Sequence, residues 1–473
     1  MDLPSHPDRT RDAAPGVPLI SMPGVDGIPG VDDDLPAGLP PEEFSARIFG
    51  TSEPRTGRGL ELSPFRGVRF VPEVAGDPAE VTTPPYDLID EAAALRLLAG
   101  GGYNIVRLNL PRAAGESYHA AGERLRRWLD EGALTVDPEP ALYVYEASRD
   151  GAVLQRGLIG AVGLRAESEK VVLPHEDVFP GPVRDRLALM TAANANLEPI
   201  FLLYEGGGDA ARIVDDAAGG EPLLDFRADD GLTHRLWRII DPALHARVAA
   251  DIHDKQALIA DGHHRYATYR ALQARHHAAG DGPGPWDAGL ALLVDSTRYP
   301  PHLGAIHRVL PGLKPEDAAE RARKVLRVTE YRDEAAALDA HASASGPAFL
   351  LGGGDSLHLL TDPDADALSR CMPAGHSARW RRLDTAVLDH LLIGGVWDVP
   401  ENENAIEVVH DDPSAAIARA RRSGGTAVVL NPLRVEDVLA VAGHGERVPR
   451  KSTSFGPKPR TGLVLRLLRP DDR

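Results

Sequence analysis

The fold is indicated most clearly by residues 256–266, which read QALIADGHHRY. Residues 256–260, which are apolar from Ala257 onward, predict a strand, Asp261 and Gly262 predict a turn, and residues 266–276 predict a helix. A strand that passes through a glycine turn into a helix aims backbone N–H groups and the positive end of the helix dipole at one point. This stretch therefore predicts an anion site within a fold that mixes strands and helices.

The side chains of this turn favour a phosphate as the anion. Arg265 offers a planar fork of donors that matches phosphate oxygens, and His263 and His264 can donate as well. Two alternatives stay open from spacing alone: Asp261 caps the helix beside surface imidazoles, or the histidines hold a metal. The stretch is neither a Walker loop nor a zincin helix, because it lacks the Lys-Ser/Thr pair and two histidines four apart.

A second candidate site follows the apolar strand predicted within residues 171–176, VVLPHE. Glu176, with His175 beside it, suits a general base because a carboxylate at the end of a rigid strand can reach a substrate hydroxyl. A solvated loop glutamate is the ordinary alternative. The pairs at 185–186 and 198–199 either line the same pocket or form surface ion pairs.

Residues 448–459, VPRKSTSFGPKP, form a net basic loop that carries hydroxyl groups. Lys451, Ser452 and Thr453 offer ammonium and hydroxyl donors, which makes them candidates for cofactor binding. A rigid surface loop held by three prolines is the alternative.

Two further motifs favour structural roles. Tyr86 and Asp87 follow a double proline, and Asn104 and Arg107 lie in residues 104–110, which alternate in polarity as a half-buried strand does.

Length, charge and cysteine content exclude several classes of protein. The chain has 473 residues, 52 Lys+Arg, 70 Asp+Glu, a net charge of −18 and one cysteine, Cys371. A single cysteine excludes an internal disulfide and thiolate-rich metal sites, and it fits a reducing compartment. The acidic balance disfavours nucleic-acid and anionic-membrane partners. No secretory signal or long apolar run is present, so we expect a cytoplasmic protein.

Residues 1–64 contain 11 Pro and 8 Gly, a composition typical of a disordered tail. We expect a domain over 65–310 and a C-terminal α/β section over 311–473. Strands and helices interleave throughout, which predicts an α/β or α+β fold with mixed sheets.

The order of these motifs resembles the domain of unknown function 1015 family of bacteria and archaea. The resemblance extends from about residue 65 to about residue 465, which is nearly the whole chain beyond the tail. It rests on the following segments: PPYD at 84–87, NIVRL at 104–108, LPHE at 173–176, DR at 185–186, PIF at 199–201, DGHHRY at 261–266 and KST at 451–453.

That family is in turn distantly similar, over residues 175–272, to the free-serine kinases of the ParB/sulfiredoxin superfamily. This similarity implies a ParB/sulfiredoxin-like nucleotide-binding core, with ADP or ATP and Mg²⁺ as cofactors. Residue by residue, it implies Glu176 as the catalytic base beside His175. It implies Asp261 near the metal or the hydroxyl, and phosphate binding by Gly262, His263, His264 and Arg265. The long insertion at 206–240 means that spacing does not by itself place Glu176 opposite the phosphates.

The same comparison separates the chain from two neighbours of those kinases. Sulfiredoxins carry a nucleophilic cysteine in the glycine turn, where this chain has His263, and ParB proteins continue into a helix-turn-helix, which the acidic balance disfavours. The sequence therefore predicts a nucleotide-dependent phosphotransferase that acts on a small hydroxyl substrate, with free L-serine as the suggested one. A non-catalytic nucleotide-binding regulatory protein is the alternative.

Overall fold

The computed structural model describes residues 39–50, 59–400 and 405–469. Strands and helices alternate along the chain, which confirms the predicted mixed α/β class. The described residues divide into two compact units. The larger unit contains 39–50, 59–303, 434–450 and 455–469, and the smaller unit contains 304–400, 405–433 and 451–454.

The strands are β1 (Leu62–Ser63), β2 (Gly67–Phe70), β3 (Leu134–Val136), β4 (Leu142–Arg149), β5 (Ala152–Gly163), β6 (Val172–Leu173), β7 (Ala195–Asn196), β8 (Ile200–Tyr204), β9 (Leu224–Arg227), β10 (Thr233–Ile239), β11 (Ala257–Asp261), β12 (Ala288–Asp295), β13 (His302–Gly304), β14 (Ile306–Leu310), β15 (Arg327–Tyr331), β16 (Phe349–Gly352), β17 (Leu357–Thr361), β18 (Glu407–His410), β19 (Thr426–Leu430), β20 (Ser454–Gly456) and β21 (Leu465–Leu467).

The α-helices are α1 (Pro41–Gly50), α2 (Pro72–Ala75), α3 (Pro78–Val81), α4 (Glu91–Ala99), α5 (Val106–Asn109), α6 (Tyr118–Asp130), α7 (Pro180–Ala193), α8 (Asp209–Ala218), α9 (Pro242–Ile252), α10 (His263–Ala278), α11 (Pro315–Ala322), α12 (Glu334–Ala342), α13 (Ala365–Cys371), α14 (Asp384–Val387), α15 (Pro413–Ser423) and α16 (Val435–Gly443). A π-helix at Leu388–Trp397 continues α14. None of the helices in the described ranges is long and apolar enough to cross a membrane.

The main sheet of the larger unit has the strand order β6-β11-β8-β12-β5-β4-β10-β9, with β1 against β5. The β11–β6 and β12–β8 pairs are parallel and the others are antiparallel. Strands β8 and β11 are buried along their whole length, and they are apolar except for Asp261 at the end of β11. A second sheet has the order β3-β2-β21-β7.

The smaller unit contains an antiparallel sheet with the order β15-β17-β16-β19-β14-β18. Its core packs α12 and α15 against the central strands. The predicted division at residue 310 therefore differs from the observed one. The chain enters the smaller unit at residue 304, and residues 434–450 and 455–469 return to the larger unit.

The predicted tail also differs from the structure at its C-terminal end. Helix α1 lies within residues 1–64, yet Phe44 and Phe49 are 0 % and 1 % exposed and belong to the core of the larger unit. The Phe49 ring stacks on Tyr266, with centroids 6.1 Å apart. Two buried aromatic rings supply enough apolar surface to fix a short helix, which average composition does not reveal. Residues 1–38 and 51–58 of the predicted tail lie outside the described residues.

Residues 104–110 contain the short helix α5 (Val106–Asn109) and not the predicted strand. The Asn104 side chain accepts a hydrogen bond from Val106 N at 2.9 Å, which turns the chain into α5. Val106 and Leu108 are both fully buried, although they lie on different sides of this single turn. Apolar and polar residues therefore alternate here because the short helix is buried on more than one side, and not because the segment is a strand.

Candidate functional site

The predicted strand–turn–helix is confirmed at β11 and α10. A bulge shifts the register of β11 against β8 between Ile259 and Asp261. Gly262 then turns the chain with φ +94°, and α10 begins at His263. The residue that precedes this helix has no side chain to cap its first turn.

We expect Gly262→Ala to destabilise the larger unit more than an ordinary glycine replacement at positive φ. An added Cβ would lie 3.0 Å from Ile200 Cγ2 and 3.2 Å from Arg265 Cζ. Gly115 is a matched control, because its φ is +71° and a Cβ there meets nothing within 4 Å. We expect Gly115→Ala to cost about 1 kcal/mol for its φ alone. Crowding should add about 1–2 kcal/mol more at Gly262. If urea unfolding shows equal losses of unfolding free energy in Gly262→Ala and Gly115→Ala, the turn is not crowded.

The carboxylate of Asp261 binds two cations. Its Oδ2 is 2.5 Å from Arg265 Nη2, and its Oδ1 is 2.5 Å from Lys458 Nζ. Lys458 Nζ also lies 3.2 Å from Asp87 Oδ2. On the other side, Arg265 Nη1 is 3.8 Å from Glu198 Oε2. These five side chains of the larger unit alternate in sign, and we call them the charge chain.

Arg265 is enclosed within the charge chain. Its side chain is 5 % exposed, and its Nη1 donates to the carbonyl of Pro199. Burial alone would lower the pKa of Arg265, but Glu198, Asp261 and Asp87 raise it above its ordinary value. The guanidinium therefore stays charged, and both Nη atoms donate within the protein.

Lys458 is the more accessible cation of the charge chain, with a side chain 18 % exposed. Burial lowers the pKa of Lys458, but Asp261 and Asp87 outweigh burial and raise it. Partial burial would raise the pKa of Asp87, yet Lys458 and Arg265 lower it. Lys458 is therefore the ammonium best placed to meet an anion at this turn.

The two histidines of the turn bind the loop that carries Glu176. The backbone N–H of His175 donates to His263 Nε2 at 3.2 Å, and that of Phe179 donates to His264 Nε2 at 3.0 Å. Glu176 is partly exposed and lies between these two attachment points. The structure thus joins the candidate base and the start of α10 through the histidine rings.

His175, His263 and His264 are neutral near pH 7. Burial lowers the pKa of His175 to about 3 and that of His264 to about 4. Burial, with added repulsion from His175 and Arg447, lowers the pKa of His263 well below its usual value. The His175 and His263 rings meet edge to face, with centroids 4.5 Å apart. Because both Nε2 atoms of the turn accept hydrogen bonds, only their Nδ1 atoms could donate to a phosphate.

Two other contacts hold the same loop. Ser45 Oγ, on α1, accepts a hydrogen bond from Val178 N at 2.8 Å. Arg447 forms a bidentate pair with Glu167, both contacts 2.7 Å, and donates to the carbonyl of Pro174 at 3.1 Å. The loop is therefore supported from both sides of Glu176.

The candidates Lys451, Ser452 and Thr453 belong to the smaller unit. The carbonyl of Lys451 accepts a hydrogen bond from Arg308 Nη2 at 3.1 Å within that unit. Ser452 is 2 % exposed. The structure therefore groups these three residues with the smaller unit and the charge chain with the larger one.

Lys458, Asp87 and Glu198 are the site residues that sequence reasoning underrated. Asp87 and Lys458 are 371 positions apart, so no local pattern reveals their contact. The available signal was the lysine of PKP at 457–459, which is a cation between two prolines in an acidic chain.

A metal would receive few ligands from this chain. In the part of the chain that the structure describes, no group of three or more His, Cys, Asp or Glu side chains is arranged to hold a metal ion. Asp87 and Asp261 are the carboxylates beside the turn, and both bind Lys458. Mg²⁺ usually takes one or two protein carboxylates together with phosphate oxygens, and this pair fits that pattern.

The fold and this site define an α/β protein whose strand–turn–helix adjoins a chain of charges of alternating sign. The chain belongs to the family of proteins of unknown function DUF1015, which it matches over residues 62–386. A comparison with curated proteins finds no match.

Solved structures show only distant likeness. A free serine kinase variant in complex with ADP is 15 % identical, with 63 % of this chain and 90 % of that chain covered and a TM-score of 0.34. A free serine kinase in complex with AMP is 16 % identical, covering 63 % and 89 %, with a TM-score of 0.33. SbnI with a C-terminal truncation, from Staphylococcus aureus, is 15 % identical, covering 67 % and 90 %, with a TM-score of 0.34. TM-scores of this size do not establish a shared fold.

Proposed function

We propose that this protein transfers a phosphoryl group from ADP or ATP to the hydroxyl of a small substrate, with free L-serine as the first substrate to test. The proposed site is the start of α10 and the loop that carries Glu176. The proposed location is the cytoplasm, which supplies nucleotides and keeps Cys371 reduced.

One observation carries the proposal. His263 and His264, at the start of α10, accept the backbone N–H groups of His175 and Phe179. These two bonds attach the loop that carries Glu176 to the first turn of a 16-residue helix, whose N-terminal end is positive. A general base and an anion-binding helix start are the two parts that phosphoryl transfer to a hydroxyl needs.

The residues take separate roles in this reaction. Glu176 accepts the proton of the substrate hydroxyl as the new O–P bond forms and the bond to the leaving AMP or ADP breaks. The backbone of Gly262 and the first turn of α10 meet the phosphate, and Lys458 supplies positive charge. Arg265 fixes Asp261 and acts on the phosphate indirectly, because its guanidinium is buried.

The charge balance of the site supports a divalent cation with the nucleotide. Asp87, Asp261 and Glu198 carry three negative charges, and Lys458 and Arg265 carry two positive ones, so the charge chain has a net charge of −1. A polyphosphate would meet repulsion there unless its own charge were offset. Asp87 and Asp261 would help to hold Mg²⁺, which neutralises phosphate charge when bound.

We expect Glu176→Gln to slow phosphoserine formation from serine about 10²–10⁴-fold, because the amide cannot take the hydroxyl proton. Nucleotide affinity should stay within about twofold of wild type, since the side chain does not meet the phosphates in this mechanism. Turnover is measured with ADP and ATP by mass spectrometry, and affinity by calorimetry.

Glu205→Gln is the matched control, because Glu205 is an exposed carboxylate at the end of β8. It should leave both the rate and the affinity unchanged. An equal rate in the two variants would overturn the assignment of Glu176. Tight nucleotide binding without turnover on any hydroxyl substrate would instead support the alternative, a nucleotide-binding regulatory protein.

A further inference from the structure

Four motifs outside the glycine turn and the Glu176 loop meet around one buried carboxylate, that of Glu198. These are the segments 86–87, 104–110, 185–186 and 198–199. Asp185 binds Arg186 at 2.7 Å, and Arg186 Nη1 donates to the carbonyl of Asn109 at 2.9 Å and to its Oδ1 at 3.1 Å. Asn109 Nδ2 in turn donates to Glu198 Oε1.

Glu198 connects segments that are far apart in sequence. Its Oε1 also accepts hydrogen bonds from Tyr86 N at 3.0 Å and from Thr461 Oγ1 at 2.8 Å. Its Oε2 lies 3.8 Å from Arg265 Nη1. The residue is 4 % exposed, so these contacts are made away from water.

The partners of Glu198 adjoin the other members of the charge chain. Tyr86 directly precedes Asp87, and Thr461 follows Lys458 by three residues. Thr461 also pairs with Thr83 through two backbone hydrogen bonds of 3.1 and 2.8 Å, so the Asp87 and Lys458 segments lie side by side. One carboxylate therefore anchors the segments that bring Asp87 and Lys458 to Asp261.

This carboxylate offers little surface to a substrate, because Glu198 is 4 % exposed. The cavity beside it has a volume of about 20 Å³ and is lined by Asn109, Arg186, Arg265 and Tyr269, among others. A space of that size holds about one water molecule. Glu198 therefore acts through its neighbours.

We propose that Glu198 is a positioning residue that holds Lys458 and Asp87 against Asp261. The importance of Glu198 for catalysis rests on the proposed function. The effect of Glu198 on the position of Lys458 does not depend on it.

The test measures the acetylation rate of Lys458 at pH 8 in the full-length protein. Peptide mass spectrometry follows the reaction, and exposed Lys324 is the internal reference. In Glu198→Gln a neutral amide replaces the carboxylate that accepts the hydrogen bonds of Tyr86 N and Thr461 Oγ1, so these bonds weaken and we expect the Asp87 and Lys458 segments to separate part of the time. If the pKa of Lys458 falls by about one, its neutral fraction and its acetylation rate rise about tenfold.

Glu146→Gln is the matched control. Glu146 is 2 % exposed and binds Arg156 at 2.8 Å and Arg235 at 3.0 Å, but no member of the charge chain. We expect this variant to lose comparable thermal stability while Lys458 keeps its wild-type acetylation rate. An unchanged Lys458 rate in Glu198→Gln, or the same rise in both variants, would overturn the proposal.

ADP affinity separates this proposal from the proposed function. If the wild-type protein binds ADP, we expect about tenfold weaker binding in Glu198→Gln and wild-type binding in Glu146→Gln. If the wild-type protein binds no nucleotide, the proposed function fails, and the acetylation result still decides the role of Glu198.

Discussion

Replacing Arg265 by methionine should lower the free energy of unfolding of the larger unit by about 3–5 kcal/mol, the usual cost of removing one partner of a buried ion pair. Methionine keeps much of the volume but leaves Asp261, Glu198 and the Pro199 carbonyl without their cationic donor. Lys458 compensates Asp261 in part, because it already binds Oδ1. The donors that Glu198 keeps, Tyr86 N, Asn109 Nδ2 and Thr461 Oγ1, are neutral and do not replace the lost positive charge, so most of the cost should remain.

The measurement is calorimetric unfolding of the wild-type protein and Arg265→Met, with Arg212→Met as the control. Arg212 pairs with Asp209 at 2.8 Å, but its side chain is 68 % exposed, and exposed pairs contribute about 0–1 kcal/mol. Adding Asp261→Asn to Arg265→Met should restore part of the stability, because it removes one of the buried carboxylates. Equal losses of unfolding free energy in Arg265→Met and Arg212→Met would contradict the inference that burial strengthens the ion pairs of Arg265.

Acidification should unfold the protein steeply from about pH 6 downward. Folded His175 and His263 remain neutral, because burial lowers the pKa of His175 to about 3 and that of His263 well below 6.5. In the unfolded chain both titrate near 6.5, so below that pH the unfolded chain binds protons that the folded one does not. Well below pH 6.5 each histidine lowers the free energy of unfolding by about 1.4 kcal/mol per pH unit, and the pair lowers it by about 3 kcal/mol per pH unit. For His175 this loss ends near pH 3, where the folded state also binds its proton.

His263→Gln tests this pH dependence. Glutamine can still accept the hydrogen bond from His175 N but does not titrate, so the average slope of stability against pH between pH 7 and 5 should fall by about 1 kcal/mol per pH unit. His119→Gln is the control, because the His119 side chain is 77 % exposed. Urea unfolding at pH 7, 6 and 5 gives the slopes. A slope in His263→Gln equal to that of wild type would show that the buried rings do not set the acid limit.

Local signals predicted the elements that local chemistry decides. An Asp-Gly pair is a turn signal, and Asp150-Gly151 joins β4 and β5; Asp is a preferred helix cap, and the side chain of Asp90 caps α4 at Ala93 N. The strand and helix on either side of Gly262 also follow the sequence, because an apolar run, a glycine at positive φ and a helix-forming segment act in succession. These elements need few contacts from distant parts of the chain.

Long-range contacts decide the features that sequence reasoning missed. Phe44 and Phe49 fix α1 by packing against residues far along the chain, although the surrounding composition is that of a tail. The order of motifs indicated Glu176 and Arg265, but it could not show that Arg265 is already paired with carboxylates. The sequence alone could not assign Lys458 to the site, because its two partners, Asp87 and Asp261, come from other motifs.

The position of β21 affects how the protein is made. This strand, Leu465–Leu467, lies between β2 and β7 in the second sheet of the larger unit, and Lys458 precedes it by a few residues. A ribosome synthesises the smaller unit before it reaches either segment. The larger unit therefore cannot close cotranslationally until its final segment emerges, and until then Asp261 on the nascent chain has Arg265 but lacks the ammonium that completes its charge balance.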